Sequence, residues 1–162
     1  MTTSQDLDNL EFRIVEEVWN EYELKDGTKI RGRTYISRIA ENKNAQRPPE
    51  IKPGAGFADL SISLEKQFQV FAPKDKKSNP TPIPNLNDLK EDQKEEVKIL
   101  TYSEPWNVYE IVKNGTVIRV KLVVSEIHLV KQVYDNFGEP FYLVKNSPVF
   151  DFKVPAGKQK FA

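Results

Sequence analysis

The chain of 162 residues has no cysteine and a single histidine, and these two absences exclude common kinds of site chemistry. Without thiols there are no disulfide bonds and no thiolate metal sites. One imidazole cannot build a histidine-rich metal centre, and the chain contains no glycine-rich phosphate-binding loop. We therefore expect no metal ion and no other cofactor.

The chain also lacks a net charge and a long apolar run. Its 24 basic residues are balanced by 24 acidic residues, which argues against a protein that coats nucleic acid through bulk charge. No stretch approaches the roughly 18 apolar residues that a membrane-spanning helix needs, and the opening residues are polar and acidic. The composition predicts a soluble cytoplasmic protein with no membrane partner.

What the chain does contain is one motif twice. Residues 19–31 read WNEYELKDGTKIR and residues 106–119 read WNVYEIVKNGTVIR, so both tryptophans open the motif. Upstream, residues 11–15 resemble residues 96–100, with two extra residues before Trp106. A spacing of about 85 to 88 residues is too long for a solenoid repeat and fits two small domains. We call residues 11–72 the first copy and residues 96–154 the second copy, and we predict that both adopt one β fold.

A β-hairpin is predicted in the first copy, because apolar and charged residues alternate on both sides of Asp26-Gly27. A two-residue turn would place apolar residues opposite charged ones. A type I turn with Gly27 as a bulge instead pairs Tyr22 with Ile30 and separates an apolar face from a charged face. The predicted charge pairs are Glu21 with Arg31 and Glu23 with Lys29. The predicted inward residues are Tyr22, Leu24, Ile30, Thr34 and Ile36.

Prolines and glycines divide the rest of the chain into elements. Residues 41–56 predict a long surface loop, and residues 73–87 predict an extended linker. A short helix of two to three turns is expected at about residues 87–96, with Asn85 or Asn87 as its N-cap. The other predicted strands are 57–64 and 68–72, separated by a turn at 65–67, and then 97–102, 106–112, 116–130, 141–145 and 149–154, with a mobile tail from Pro155.

Residues 24–32, LKDGTKIRG, resemble the first motif of the Sm-like family: an apolar residue, a basic residue, Asp-Gly, and a glycine five positions further. Residues 141–149, FYLVKNSPV, are similar to the second motif of that family. The resemblance implies an all-β fold of two duplicated small SH3-like or Sm-like β-barrels of about five strands each, with the short helix before the second barrel. Together with the duplication and the proline-rich linker, this predicts a first barrel at 1–78, a linker and short helix at 79–95, and a second barrel at 96–162.

The family's RNA-binding positions are only partly kept. Its aspartate falls on Arg38 and its asparagine on Asn42 in the first copy, and on Glu126 and Val130 in the second. The Arg-Gly of the family's second motif falls on Lys145-Asn146, and on about Glu65-Lys66 in the first copy; the bend glycine, Gly32, is replaced by Val120. We therefore expect that the chain keeps the barrel shape of the family but not its nucleotide-binding site.

Matched basic residues and the two tryptophans are the candidate functional residues. The basic residues could follow a phosphate backbone, or they could form a solvated strand face paired to Glu21, Glu23 and Glu110. Trp19 and Trp106 could stack bases, or they could pack the contact between the two copies. The candidate nucleic-acid contacts are Arg31, Arg33, Asn42, Arg119, Lys121 and Lys145.

No catalytic group of residues can be composed from this sequence. His128 has no nucleophile or second base at a suggestive spacing, and adjacent glutamates on a strand point to opposite faces. We therefore expect a protein that is not an enzyme but a protein-interaction or assembly module, with a protein partner or a homo-oligomer. The alternative is a module that binds RNA or single-stranded nucleic acid. Because each copy has only about 60 residues, we also expect the copies to pack together near Trp19 and Trp106.

Overall fold

A computed structural model describes residues 7–42 and 60–155 and confirms the all-β class. Its ten strands form two antiparallel sheets of five strands each. The strands are β1 (Leu7–Leu10), β2 (Phe12–Glu16), β3 (Asn20–Leu24), β4 (Lys29–Asn42), β5 (Leu60–Phe71), β6 (Lys94–Glu96), β7 (Ile99–Ser103), β8 (Asn107–Ile111), β9 (Val117–Tyr134) and β10 (Pro140–Lys153). The described residues include no helix that could cross a membrane.

The β3–β4 hairpin has the predicted register. Tyr22 pairs with Ile30, Glu21 with Arg31 and Glu23 with Lys29. Gly27 adopts a left-handed conformation at φ 90° to close the turn, which a side chain would strain. The predicted inward residues Tyr22, Leu24, Ile30, Thr34 and Ile36 are all buried. The alternation of charge along the two strands thus fixed both the register and the buried face.

The β8–β9 hairpin of the second copy repeats this geometry. Gly115 has φ 71°, and Tyr109 pairs with Ile118 as Tyr22 pairs with Ile30. Each long strand also carries a bulge at the serine shared by the two copies. Ser37 donates from Oγ to the carbonyl of Ser63, and Ser125 donates in the same way to the carbonyl of Lys145, both at 3.3 Å. The repeated sequence therefore corresponds to repeated local geometry.

Two short strands are exchanged between the sheets. β2 belongs to the first copy but pairs with β8 of the second, whereas β7 belongs to the second copy and pairs with β3 of the first. The first sheet therefore contains β1, β3, β4, β5 and β7, and the second contains β2, β6, β8, β9 and β10. We call β2 and β7 the exchanged strands. Backbone pairing crosses the boundary predicted between the copies.

The apolar core is likewise shared. A first core gathers Ile36 and Ile39 of β4 with Tyr109, Ile111 and Val120 of the second copy. A second core gathers Tyr22, Leu24 and Ile30 of the first copy with Ile127 and Tyr142 of the second. The long strands β4 and β9 each contribute one end to one core and the other end to the other. Neither copy therefore buries its apolar residues without its twin.

Polar side chains fix the place where the chain crosses from one sheet to the other. Asn20 donates from Nδ2 to the backbone oxygen of Leu122 at 2.8 Å, and the Tyr22 hydroxyl donates to Glu104 at 2.7 Å. In the matching place, Asn107 donates to the backbone oxygen of Thr34 at 2.6 Å, and the Tyr109 hydroxyl donates to Glu17 at 2.6 Å. We call these two groups, Asn20–Tyr22–Glu104 and Asn107–Tyr109–Glu17, the crossover clusters. They give a structural reason for the Trp-Asn-x-Tyr repeat.

The upstream alignment with two extra residues is wrong. The backbone nitrogen of Val112 donates to the backbone oxygen of Glu11 beside β2. The backbone nitrogen of Lys25 donates to the backbone oxygen of Lys98 beside β7. Glu11 is thus matched by Lys98 and not by Glu96. Leu10 and Val97, which have the same separation in sequence as Trp19 and Trp106, are both buried. The alignment with two extra residues rested on similar side chains. The backbone pairing shows that the two upstream segments match without an insertion.

The short helix predicted at about residues 87–96 is also wrong. Asn85 does cap a turn, accepting from the nitrogen of Asn87 at 3.1 Å, but the turn is a single 3₁₀ turn at Leu86–Asp88. A second 3₁₀ turn at Glu91–Gln93 leads directly into β6. The segment offers no apolar stripe for a helix to bury, while residues 94–96 gain backbone pairing with β9.

The predicted turn at residues 65–67 is absent, since β5 runs unbroken and pairs with β4 from Lys29 to Glu41. Similarly, β10 is continuous from Pro140 to Lys153, so the gap predicted at residues 146–148 is absent, and the bulge at this level is Ser125 of β9. Residues 7–10, at the polar start of the chain, form β1. In the described ranges neither sheet closes into a barrel. Most of the predicted loop at 41–56 and the tail after Pro155 lie outside the described residues.

Candidate functional site

The predicted basic residues stack on the tryptophans. The guanidinium groups of Arg31 and Arg33 lie 4.5 and 5.0 Å from the ring centroid of Trp19. Arg119 and Lys121 lie 4.6 and 4.8 Å from the ring of Trp106 in the same way. Both tryptophans are half-buried beneath these side chains. The structure therefore brings each candidate tryptophan together with the basic pair of its own copy.

Acidic neighbours balance part of this charge. Arg119 contacts Asp151 at 2.6 Å, and Arg31 lies 3.7 Å from Glu21. The two basic pairs lie on β4 and β9, which belong to different sheets. These contacts fit the reading of a solvated, paired strand face.

The two remaining candidates lie apart from the stacked pairs. Asn42 ends β4 and pairs with Leu7. Lys145 lies on β10, with its Nζ 3.4 Å from Glu126. A hydrogen bond from His128, together with the charge of Lys145, holds the pKa of the Glu126 carboxyl below its usual range. The six candidates therefore do not form one continuous set of contacts.

A groove of about 550 Å³ lies beside the C-terminal part of β5. Residues 67–71 of β5 line one part of it, and the β9–β10 turn with Lys77 lines the rest. β4 is the only strand that pairs with β5 in the described part of the chain, so the other edge of β5 lacks a strand partner there. We call this feature the β5 groove. Its lining residues are Gln67, Phe68, Gln69, Val70, Phe71, Lys77, Asp135, Phe137 and Glu139.

The turn between β9 and β10 places an aromatic ring at this groove. The Asp135 carboxylate accepts from the nitrogen of Phe137 at 2.8 Å and from the nitrogen of Glu139 at 3.0 Å. Gly138 adopts φ 79°, and a side chain there would meet the backbone oxygen of Ser78 at 2.6 Å. With the turn held in this way, the Phe137 side chain stays 87% exposed. Phe71 of β5 is also exposed and lines the same groove, so two exposed aromatic side chains share one concave surface, as is typical of contact surfaces.

The linker after β5 is fastened against the same turn. Glu139 is buried, yet it accepts from the nitrogen of Ala72 at 3.0 Å and pairs with Lys77 at 2.8 Å. The nitrogen of Ser78 donates to the oxygen of Gly138, and that of Thr81 donates to the oxygen of Tyr134, both at 3.1 Å. The predicted extended linker is therefore an ordered wall of the groove. The Glu139 carboxylate thus connects the β9–β10 turn to the end of β5 and to the linker.

A smaller cavity of about 160 Å³ lies at the same end of the second sheet. Tyr142 lines it and donates its hydroxyl to Asp26 at 2.7 Å. Burial raises the pKa of the Tyr142 phenol, Thr28 opposes that change, and Asp26 adds to it. Gln132, also in the lining, has φ 63°, a conformation that costs a residue other than glycine about 1 kcal/mol or more. The raised pKa keeps the Tyr142 phenol protonated, so its hydroxyl remains a hydrogen-bond donor to Asp26 beside the cavity.

Comparison with protein-family models, with curated proteins and with solved structures finds no match. The function has to be inferred from the surface itself.

Sequence reasoning did not find the β5 groove. The available signal was Phe137, an aromatic residue in the middle of the turn Asp135-Asn136-Phe137-Gly138, where turns are usually polar. The open edge of β5 had no signal, because a strand sequence does not say which of its edges is paired.

Proposed function

We propose that this protein is a non-catalytic protein-interaction module whose two copies arose by internal duplication of a small SH3-like β unit. It binds an extended segment of a partner protein along the open edge of β5. The β5 groove is the observation that carries the proposal, because within residues 7–42 and 60–155 it combines a strand edge that has no strand partner with an exposed aromatic ring. The matched turns, bulges and crossover clusters support the duplication.

An extended peptide is the occupant that this geometry favours. An exposed strand edge supplies backbone donors and acceptors at regular spacing, which a peptide in β conformation can satisfy by strand addition. Phe71 and Phe137, which are both exposed, provide apolar surface for side chains of the peptide, whereas Phe68 and Val70 pack partly against the second core. The charges of Lys77 and Glu139 are already paired with each other, and the Asp135 carboxylate accepts hydrogen bonds within the β9–β10 turn, so the groove favours apolar and neutral polar residues over a charged ligand.

Binding of nucleic acid is less well supported. Its predicted contacts are engaged with tryptophan rings and carboxylates, and breaking these contacts would offset part of the gain from phosphate binding. Salt-sensitive affinity for RNA is the property that separates this alternative from the proposal.

The experiment selects peptides from a displayed random library against the full chain and maps the selected peptides by amide chemical shifts. We expect shifts at residues 67–71 and at Phe137. We also expect the Phe137→Ser variant to weaken binding by about tenfold, as loss of an aromatic anchor does. Val112→Ser is the matched control, because Val112 is also exposed beside a hairpin turn but lies away from the groove; its affinity should not change.

The β5 groove would be refuted as the binding site if the selected peptides changed amide shifts elsewhere and bound the Phe137→Ser variant with unchanged affinity. Tight binding of uridine-rich RNA at physiological salt, lost in Asn42→Ala, would favour the nucleic-acid alternative instead.

A further inference from the structure

Three possible metal ligands meet where β6 pairs with β9. Glu126 and His128 are two residues apart on β9 and therefore point to the same face. Glu96 lies directly opposite His128 in the β6–β9 register. The ligand atoms of the three side chains all lie within 4.8 Å of one another. The cluster is produced by strand pairing and cannot be seen in the sequence as a motif.

We propose that Glu96, Glu126 and His128 bind one divalent transition-metal ion, with Zn²⁺ as the best match. One imidazole and two carboxylates form a mixed nitrogen and oxygen set of three protein ligands, which Zn²⁺ accepts with water in the fourth position. The expectation of no metal site considered sites rich in imidazole or thiolate and pairs of adjacent glutamates. It did not consider one histidine combined with carboxylates from a neighbouring strand.

The His128 ring is already held beside one of the carboxylates. Its Nε2 lies 3.0 Å from Glu126 Oε2, and the side chain is only 20% exposed. A ligand that is oriented before binding loses less conformational freedom when the ion arrives. Lys145 is the competing cation, with its Nζ 3.4 Å from the same carboxylate oxygen. That lysine side chain is 68% exposed, so it can turn towards water when a metal ion takes its place.

The matching place in the first sheet, where β1 pairs with β4, has no ligand set. Asn9 pairs with Ala40 on β1 and β4 as Glu96 pairs with His128 on β6 and β9. Arg38 stands where the second copy has Glu126. The same backbone geometry therefore carries an amide, a methyl group and a cation in one sheet and three ligands in the other. The β fold alone does not require the ligands.

A bound ion would join β6 to β9. β6 has only three residues and follows the linker directly, so its attachment rests on a short run of backbone pairing. An ion that binds the folded chain and not the unfolded chain stabilises the folded state in proportion to the logarithm of its concentration. Metal binding would thus fasten the end of the linker to the second sheet.

The test uses the full chain without any added histidine tag, titrated with ZnCl₂ and followed by calorimetry and by the imidazole ¹⁵N resonances. His128 is the only histidine, so a shifted ring resonance reports this site alone. We expect one Zn²⁺ per chain, a shifted ring nitrogen and a raised thermal midpoint. His128→Ala and Glu96→Gln should each weaken binding by about tenfold or more.

Two further variants make the test specific. Glu95→Gln is the matched control, because Glu95 is next to Glu96 on β6 but points to the other face; it should bind Zn²⁺ as the unchanged chain does. Lys145→Ala should strengthen binding, since it removes the competing cation. Zn²⁺ binding that persists in His128→Ala would show adventitious carboxylate binding and overturn the proposal. Absence of any ring-nitrogen shift in the unchanged chain would overturn it as well.

Discussion

The two crossover clusters match each other closely, whereas the β6–β9 contact and its counterpart, the β1–β4 contact, share backbone pairing but not side chains. At the crossover, asparagine, tyrosine and glutamate recur in both copies and make matching bonds. At the other contact, the first sheet has Asn9, Arg38 and Ala40 at the positions where the second sheet has Glu96, Glu126 and His128. The residues that hold the exchanged strands are therefore repeated in both copies. The candidate ligands and the β5 groove lie in parts of the structure that are not repeated.

The strongest way to break this comparison is to separate the copies. A fragment of residues 1–80 should not fold alone, because both cores need apolar residues from the second copy. We expect no cooperative thermal transition and poorly dispersed amide resonances. Adding residues 81–162 should restore the fold. A soluble fragment that unfolds cooperatively with the stability of the full chain would show that the shared cores are not needed.

Alkaline pH should destabilise both crossover clusters. Burial, and next the hydrogen bonds to Glu104 and Glu17, raise the pKa values of Tyr22 and Tyr109 above the ordinary value of about 10. The folded state therefore holds these protons more tightly, and its stability is complete below about pH 10 and is lost as the pH rises further. Urea unfolding followed across this range should show a falling free energy of unfolding. A flat profile above pH 10 would mean that the buried phenols are not coupled to folding.

Removing one hydroxyl from each cluster sharpens the comparison at the smallest scale. Tyr22→Phe and Tyr109→Phe should each lower the free energy of unfolding by about 1.5 to 3 kcal/mol, because each removes a hydrogen bond to a carboxylate. Tyr102→Phe is the control, since its side chain is 68% exposed and should change stability by less than about 0.5 kcal/mol. A large loss in only one of the two variants would show that the clusters are not equivalent.

The local structure was readable from the sequence because local patterns determine it. Alternating charge on either side of Asp26-Gly27 gave the hairpin register, and the same pattern gave the buried face. The helix prediction failed because capping residues such as Asn85 also begin single turns, and only an apolar stripe distinguishes the two. The turn at 65–67 failed because charged residues can continue a strand when a long neighbour pairs with it.

The pairing of strands could not be read in the same way. β2 and β8 pair although they are far apart in sequence, and the sequence of neither strand indicates which strand it pairs with. The candidate metal ligands became visible only once register had placed Glu96 opposite His128. Of the predicted site residues, the tryptophans and their basic neighbours do come together, whereas the β5 groove depends on an unpaired edge that no residue pattern marks.

The exchange of β2 and β7 has a consequence for synthesis on the ribosome. When the first copy emerges, the strand that β2 must join has not yet been made, and neither core can be completed. At about 5 to 20 residues per second, the missing half takes roughly 4 to 16 s to appear. During that interval the apolar faces of β3 and β4 are exposed to chaperones and to neighbouring nascent chains. Folding therefore begins late, and a ribosome that stalls near the linker leaves a product that cannot complete either core.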